Sequence, residues 1–145
     1  MLNKYFFKLI ILSFFLLIAN VVNGDDQFNF DVTTIEITDN GNRFTGYDRG
    51  EITTSDGLLI NADSFDYFKN TNILKAKGNI VIYDKRKDVK IYSDNLTYLK
   101  NEGKILTDKN SKAVHKNYII KAEKFLYDEN QNKIVANKKV ISEDT

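Results

Sequence analysis

The amino-acid sequence predicts an all-β protein built from antiparallel hairpins, on three observations. After residue 28, β-branched and aromatic residues stand at every second position, which is the period of a strand with one buried face. Turn-forming clusters interrupt this alternation throughout. A phrase of the form Ile-x-Ala/Ser-Asp/Glu-x-Phe/Leu-x-Tyr occurs three times, with its tyrosines, Tyr67, Tyr98 and Tyr127, 31 and then 29 residues apart. Such self-similarity indicates one supersecondary unit stacked on copies of itself.

The alternation and the turns together place the strands in order. Apolar residues alternate with polar ones at Phe28 and Phe30, Ile35 and Ile37, Leu58 to Ala62, Phe65 and Tyr67, Leu74 to Ile82, Val89 and Ile91, Leu96 and Tyr98, Ile119, Phe125 and Tyr127, Ile134 to Val140. Turns are predicted at Asp39 to Asn42, Asp56-Gly57, Lys69 to Asn72, Asp84 to Asp88, Asn101 to Gly103, Lys109 to Lys112 and Asp128 to Asn132. We expect one domain of about nine to eleven strands, arranged as a meander of hairpins.

Each repeat predicts the same local geometry. A strand carries the Ile-x-Ala/Ser residues, a second carries Phe/Leu-x-Tyr, and an acidic residue falls between them at Asp63, Asp94 and Glu123. Because these carboxylates occupy one equivalent position in each copy, we interpret them as corner residues that cap backbone amides at bends. Two sheets of this kind would pack as a sandwich, or enclose a V-shaped groove if they splay apart.

The first 24 residues resemble a secretory signal peptide. Lys4 and Lys8 form a positive segment, an apolar helical run begins at Leu9, and Val22 and Gly24 are small residues before a cut at Asp25. The alternative is an uncleaved membrane anchor, although the apolar run is shorter than the ~20 residues that cross a bilayer. The domain prediction is therefore a signal peptide over 1–24 and a β-domain over 25–145.

Composition excludes several classes of function. Removal of residues 1–24 leaves 19 Lys and Arg against 20 Asp and Glu, a net charge of −1, because that segment holds two lysines and no acid. Without a basic excess, nucleic acid is not an expected partner. The chain has no cysteine, so it forms neither disulfides nor thiolate metal sites.

The repeated phrases resemble those of the OstA-like family, which comprises the periplasmic lipopolysaccharide-transport domains of LptA, LptC and the N-terminal part of LptD. The family pattern is matched by Ile60 to Tyr67 and then by Asn72 to Ile82, which reads Asn-Ile-Leu-Lys-Ala-Lys-Gly-Asn-Ile-Val-Ile. The match runs over 57–142 and more loosely over 28–56, and the third copy has Lys138-Lys139 in place of Gly78-Asn79. The resemblance implies an antiparallel open β-jellyroll, likened to a folded taco, whose apolar interior shields acyl chains.

The resemblance also implies which residues would line a lipid-binding groove. An acyl chain needs a continuous apolar trough and no specific hydrogen bond, whereas the same alternation equally builds a closed, dry core. The candidate groove residues are Ile60, Ala62, Phe65, Tyr67, Leu74, Ala76, Ile80, Ile91, Leu96, Tyr98, Ile105, Ile120, Phe125, Tyr127 and Ile134. The basic turn Lys85-Arg86-Lys87 is a candidate contact for lipid phosphates, against the alternative of a solvated turn.

No catalytic, metal or cofactor site is predicted. His115 is the only histidine and lies in a polar stretch, and Ser111 lacks the setting of a nucleophile. Repeated corner carboxylates do not form the fixed pair that glycoside hydrolysis needs. We therefore expect a protein that is not an enzyme.

The predicted function is a periplasmic, non-enzymatic carrier of lipopolysaccharide toward the outer membrane. Its expected partners are lipopolysaccharide, homologous jellyroll domains joined through the edge strands near Phe28 to Ile37 and Ile134 to Ile141, and an outer-membrane assembly complex. Two alternatives stay open: a structural β-repeat protein of the cell envelope with a closed core, and an isolated N-terminal piece of an LptD-type outer-membrane assembly protein.

Overall fold

Ten strands make up the described part of the chain, residues 28–144 of a computed structural model. The predicted signal peptide lies outside these residues. All strand pairs between residues 28 and 144 are antiparallel, so the all-β prediction is confirmed. The strands are β1 (Phe28–Thr38), β2 (Arg43–Thr54), β3 (Leu58–Ala62), β4 (Ser64–Phe68), β5 (Ile73–Asp84), β6 (Val89–Leu99), β7 (Lys104–His115), β8 (Tyr118–Asp128), β9 (Lys133–Asn137) and β10 (Ile141–Asp144).

The strands pair in the order β1-β2-β3-β5-β6-β7-β8-β10. β4 pairs with β2 and β5, and therefore continues the position of β3; β9 pairs with β8 and continues the position of β10. The sheet is thus eight strand positions wide, and sequence neighbours are spatial neighbours throughout. This is the meander of hairpins that the turn spacing predicts.

Every strand position bends near its middle. The bends fall at Thr33, Asp48-Arg49, Asp63, Gly78-Asn79, Asp94, Lys109-Asn110, Glu123 and Lys138-Lys139, which we call the fold line. One side, half-sheet A, contains β3, β10 and residues 28–32, 50–54, 80–84, 89–93, 111–115 and 118–122. The other side, half-sheet B, contains β4, β9 and residues 34–38, 43–47, 73–77, 95–99, 104–108 and 124–128. The two half-sheets pack face to face around the core.

Left-handed dipeptides alternate along the fold line with single residues, which are acidic except for Thr33. Gly78-Asn79 and Lys138-Lys139 have positive φ at both residues, and so do the other two dipeptides. Each pair inserts extra backbone and bends its strand. The acidic residue on the neighbouring strand lies beside the dipeptide: the Asn79 side-chain amide donates to the Asp63 carboxylate at 2.7 Å.

The same contact recurs in the second repeat, where Asn110 donates to Asp94 at 2.7 Å. In the third repeat, an ion pair of 3.7 Å joins Lys138 to Glu123. The predicted corner positions are therefore confirmed, but the carboxylates contact side chains of the facing dipeptide rather than capping backbone amides.

One predicted turn is wrong. Lys109 to Lys112 lies inside β7, where Lys109 and Asn110 form the bulge of the fold line, and the hairpin turn falls at Lys116-Asn117. Polar residues with positive φ serve both turns and bulges, so composition alone does not separate the two. The remaining turns lie where they are predicted.

The turns of half-sheet B stack on one another at the rim opposite the fold line. Backbone hydrogen bonds run from the Lys69 amide to the Asn42 carbonyl, from Lys100 to Asn72, and from Glu129 to Gly103, at 2.8–3.1 Å. The backbone pairing of neighbouring strands therefore extends into the turns that connect them. The repeat register is held at the rim as well as within the strands.

Gly78 offers a test of the fold line. Its φ is +78°, and a Cβ there would lie 2.3 Å from the Asp63 carboxylate, whereas Gly41, with φ +84°, faces open space. We expect Gly78→Ala to lower the free energy of unfolding by about 2–3 kcal/mol, and Gly41→Ala by only about 1 kcal/mol, the cost of the left-handed conformation. Urea denaturation measures both. Equal losses would mean that the contact with Asp63 does not constrain the bend.

Candidate ligand-binding interior

Rows of side chains that are apolar at all but one position cross the width of the fold. Residues directly opposite each other on antiparallel strands point to the same face, so the pairing register gives each row. In half-sheet B one row is Ile37, Phe44, Tyr67, Leu74, Tyr98, Ile105, Tyr127 and Ile134. In half-sheet A the facing row is Phe30, Ile52, Ile60, Ile82, Ile91, Ala113, Ile120 and Ser142. The interior between them is a continuous apolar layer.

The structure brings all fifteen candidate groove residues onto these inner faces. Thirteen of them are buried, and only Ile120 and Ile134 are half-buried. Ile60, Leu74, Ile91, Tyr98 and Ile105 have no exposed surface. In the centre of the molecule the interior is therefore filled by the protein's own side chains.

The interior is accessible at the C-terminal end. A cavity of about 290 Å³ lies there, at the lower limit of the volumes that bind small ligands. Its lining residues are Val89, Ala113, His115, Tyr118, Ile120, Tyr127, Asn132 and Ile134. Ile120 and Ile134 are the two half-buried candidate groove residues in this lining, and the buried Tyr127 also borders the cavity.

Aromatic rings pack the other end. Phe28 of half-sheet A lies 4.8 Å from Tyr67 and 5.8 Å from Tyr98 of half-sheet B, measured between ring centroids. Phe30 stacks on Phe44 at 6.1 Å. Edge-to-face and offset pairs of this kind contribute about 0.5–1.5 kcal/mol each beyond their burial. The aromatic cluster therefore holds the half-sheets together beside β1.

The rim opposite the fold line, which we call the mouth, carries a polar network. Three contacts join half-sheet A to half-sheet B: Lys100 Nζ to Asp56 Oδ1 at 3.0 Å, the Tyr127 hydroxyl to Asp84 Oδ2 at 2.8 Å, and Lys87 Nζ to the Glu129 carbonyl. Within half-sheet B the Tyr98 hydroxyl donates to Glu129 Oε2 at 2.6 Å. We call these residues, together with Arg86, the mouth network.

Burial and hydrogen bonds together shift the pKa values of the mouth network. Loss of water and the hydrogen bond to Glu129 raise the pKa of Tyr98, and burial with the Asp84 contact raises the pKa of Tyr127. Burial also raises the pKa of Glu129, against the opposing effect of the Tyr98 hydroxyl. Burial acts to raise the pKa of Asp56 too, but hydrogen bonds from Thr54 and Lys100 outweigh it and hold that pKa below its usual value. The network therefore favours the charged form of the Asp56 carboxylate.

The basic turn lies at this mouth. Lys85 is exposed, while Arg86 lies 3.6 Å from Asp56 and 3.7 Å from Asp84. Lys87 lies 3.8 Å from Asp84. Two of the three candidate phosphate contacts therefore already pair with carboxylates, and their side chains face the same rim.

The remaining polar candidates have structural surroundings. Ser111 is buried, and its hydroxyl lies 2.8 Å from that of Thr107. His115 lines the C-terminal cavity. Among residues 28–144 no three His, Asp or Glu side chains are grouped so as to hold a metal ion. Over the same residues, no helix has the length and hydropathy of a membrane span.

Four members of the mouth network are not apparent from the sequence. Asp56, Asp84, Lys100 and Glu129 read as ordinary turn residues, since charge is expected in any exposed turn. The one indication in the sequence is that an apolar strand end precedes some of them, as Tyr98 and Tyr127 do. Which distant turns contact each other depends on how the two half-sheets pack together.

Asp56 gives this network a pH-dependent contribution to stability. Its folded pKa is lowered, so the stabilisation is present at neutral pH and is lost as the pH falls through that value. We expect Asp56→Asn to lower the free energy of unfolding by about 1 kcal/mol at pH 7, with the difference shrinking as the pH falls below the usual aspartate pKa of about 3.9. Urea denaturation at several pH values measures this. Glu102→Gln, which removes the exposed pair with Lys104, should change stability by less than about 0.5 kcal/mol.

Comparison with known proteins shows the fold. No family model matches the sequence, and no curated protein matches it. Among solved structures, the chain is similar to LptH of Pseudomonas aeruginosa, described as the LptA-homologous periplasmic component of the lipopolysaccharide transport device. The TM-score is 0.74 at 12% sequence identity, over 83% of this chain and 99% of that one. The predicted jellyroll-like fold is thereby confirmed, and the described chain has an LptA-like architecture.

Proposed function

We propose that this protein is a periplasmic, non-enzymatic carrier that shields the acyl chains of lipopolysaccharide during transfer toward the outer membrane. The observation that carries the proposal is the continuous apolar interior, which crosses eight strand positions in half-sheet B and seven in half-sheet A, and opens at the C-terminal end beside Ile120 and Ile134. The likeness of the fold to LptH supports it. In this reading residues 1–24 direct export and are cleaved.

The physical chemistry of acyl chains suits such an interior. Each methylene withdrawn from water contributes about 0.8 kcal/mol and requires no hydrogen-bond partner. The inner rows supply isoleucine, leucine and aromatic surface without a charge, apart from the mouth. Ile120 and Ile134 would make the first contacts, and the other thirteen groove residues would follow if the half-sheets separate.

The basic turn is the proposed contact for lipid phosphates. Lys85, Arg86 and Lys87 lie at the mouth of half-sheet A, so a headgroup would meet them while its acyl chains lie inside. Arg86 and Lys87 would exchange Asp84 and Asp56 for phosphate. Arg86 and Lys87 would therefore bind phosphate only after their contacts with these carboxylates are broken.

Homologous jellyroll domains are the proposed protein partners. Among residues 28–144, β1 ends the sheet on one side and β9 with β10 ends it on the other, so within this part of the chain both edges are unpaired. Ile35, Ile37 and Ile141 are exposed on these edges. Addition of a strand from another domain would continue the sheet and cover this apolar surface. Such a chain of domains would reach the outer-membrane assembly complex.

The second candidate function is a structural envelope protein without a ligand. One observation favours it: thirteen of the fifteen groove residues are buried by the protein itself. A dry core of this kind needs no lipid for stability. The two candidates differ in whether hydrocarbon enters the interior.

A photo-crosslinking residue at Ile134 separates these candidates. Ile134 lies on the inner face beside the cavity, and Val135 is its exposed neighbour on the outer face. With lipopolysaccharide present we expect adducts at Ile134 at least about tenfold above those at Val135, because only the inner face would contact acyl chains. Equal yields at the two positions, or no adduct at Ile134, would favour the structural protein.

Charge on the β1 edge tests the proposed assembly. Ile35 and Ile37 point to the inner face of that edge, opposite Gly46 and Phe44. We expect the double variant Ile35→Lys and Ile37→Lys to weaken self-association at least about tenfold, since burial of unpaired charge is unfavourable. Sedimentation velocity measures it. Tyr47→Lys, which alters a similarly exposed side chain on the outer face, is the matched control, and an equal effect there would contradict edge assembly.

A further inference from the structure

The two half-sheets are joined very differently at their two margins. At the fold line the backbone passes directly from one half-sheet into the other. At the mouth every hairpin turn within residues 28–144 connects strands of the same half-sheet, as 55–57 does in half-sheet A and 100–103 in half-sheet B. Separation at the mouth therefore breaks no strand pairing, whereas separation at the fold line would disrupt the sheet.

Side chains make the contacts that close the mouth. Lys100 reaches Asp56, Tyr127 reaches Asp84, and Lys87 reaches the Glu129 carbonyl. The cations are largely withdrawn from water, with Lys100 only 13% exposed and Lys87 21%. The ion pair of Lys100 with Asp56 roughly balances its attraction against the loss of hydration, so it fixes a geometry while adding little net stability.

One member of the network is incompletely satisfied. Glu129 is buried, and its Oε1 atom has no hydrogen-bond partner in the described part of the chain. An unsatisfied buried oxygen opposes the closed arrangement, because it loses its water without a replacement. The mouth is therefore held shut by contacts of small net energy, and the unsatisfied Glu129 oxygen opposes them.

The apolar interior lies directly beneath these contacts. Tyr98 and Tyr127 are fully buried members of the inner row, and their hydroxyl groups belong to the mouth network. Leu58, also fully buried, follows the turn that carries Asp56. Opening the mouth would expose the filled centre of the interior, of which the cavity of about 290 Å³ at the C-terminal end borders Tyr127 but neither Tyr98 nor Leu58.

We propose that the mouth network is a gate: the half-sheets open about the fold line, and the contacts of Lys100 with Asp56, Tyr127 with Asp84 and Lys87 with Glu129 must separate before acyl chains enter the centre. This inference rests on the proposed function, because it concerns how the same ligand reaches the same interior. The gate accounts for an interior that is apolar across its width yet filled by its own side chains.

A removable crosslink across the mouth tests the gate. The chain has no cysteine, so Asp56→Cys with Lys100→Cys creates a unique pair that a bis-maleimide with an internal disulfide can join. Arg43→Cys with Asp66→Cys is the matched control, since this pair, in contact at 2.7 Å, lies within half-sheet B. The probes are fluorescent hexa-acylated lipid A and the apolar dye N-phenyl-1-naphthylamine. Each is measured before crosslinking, after it, and after reduction of the linker.

We expect the mouth crosslink to weaken lipid A binding at least tenfold, reduction to restore it, and the control crosslink to leave it unchanged. Undiminished lipid A binding with the mouth joined would overturn the gate while leaving the proposed function intact. If the uncrosslinked protein binds no lipid A, the proposed function fails, and the dye then decides about the gate. Dye uptake that the mouth crosslink blocks reversibly supports the gate; absent or unaffected uptake overturns it.

Discussion

The bend of every strand at the fold line is the constraint on which the rest of the structure depends. Without it the eight strand positions would form one broad sheet with an exposed apolar face. Left-handed dipeptides such as Gly78-Asn79 create the bend, and the facing Asp63 carboxylate binds the Asn79 side chain that the bend presents. Because the same arrangement recurs in each repeat, all bends align and the two inner faces meet as one core.

The sequence predicts most of this architecture because alternation and repeats are local signals. Ile60, Phe65 and Tyr67 identify the inner face, and Asp63 identifies the corner. The bulge at Lys109-Asn110 was predicted as a turn, since its composition suits either and only long-range pairing selects between them. Lys100 and Asp56 are 44 residues apart in the sequence, so no local sequence pattern predicts their contact. Whether the interior is open or filled depends on packing between half-sheets, which periodicity does not specify.

The apolar but filled interior is compatible with both candidate functions. A structural protein and a lipid carrier both require apolar inner rows, and they differ in how firmly the half-sheets are held together. Here the fold line is continuous backbone, the β1 end is packed by aromatic rings, and the mouth is closed by side chains alone. The mouth is therefore the margin held by the weakest contacts, and it borders the core along its whole length.

The two ends of the interior differ, and this has a consequence for any stack of such domains. Phe28, Phe30 and Tyr67 block the end beside β1, whereas Ile120 and Ile134 border a void at the opposite end. Copies joined head to tail would set a blocked end against an empty one at every junction. The hydrophobic interior would then be divided into one separate compartment per domain rather than being continuous. A ligand would pass a junction only by leaving through the mouth or by displacing the aromatic rings.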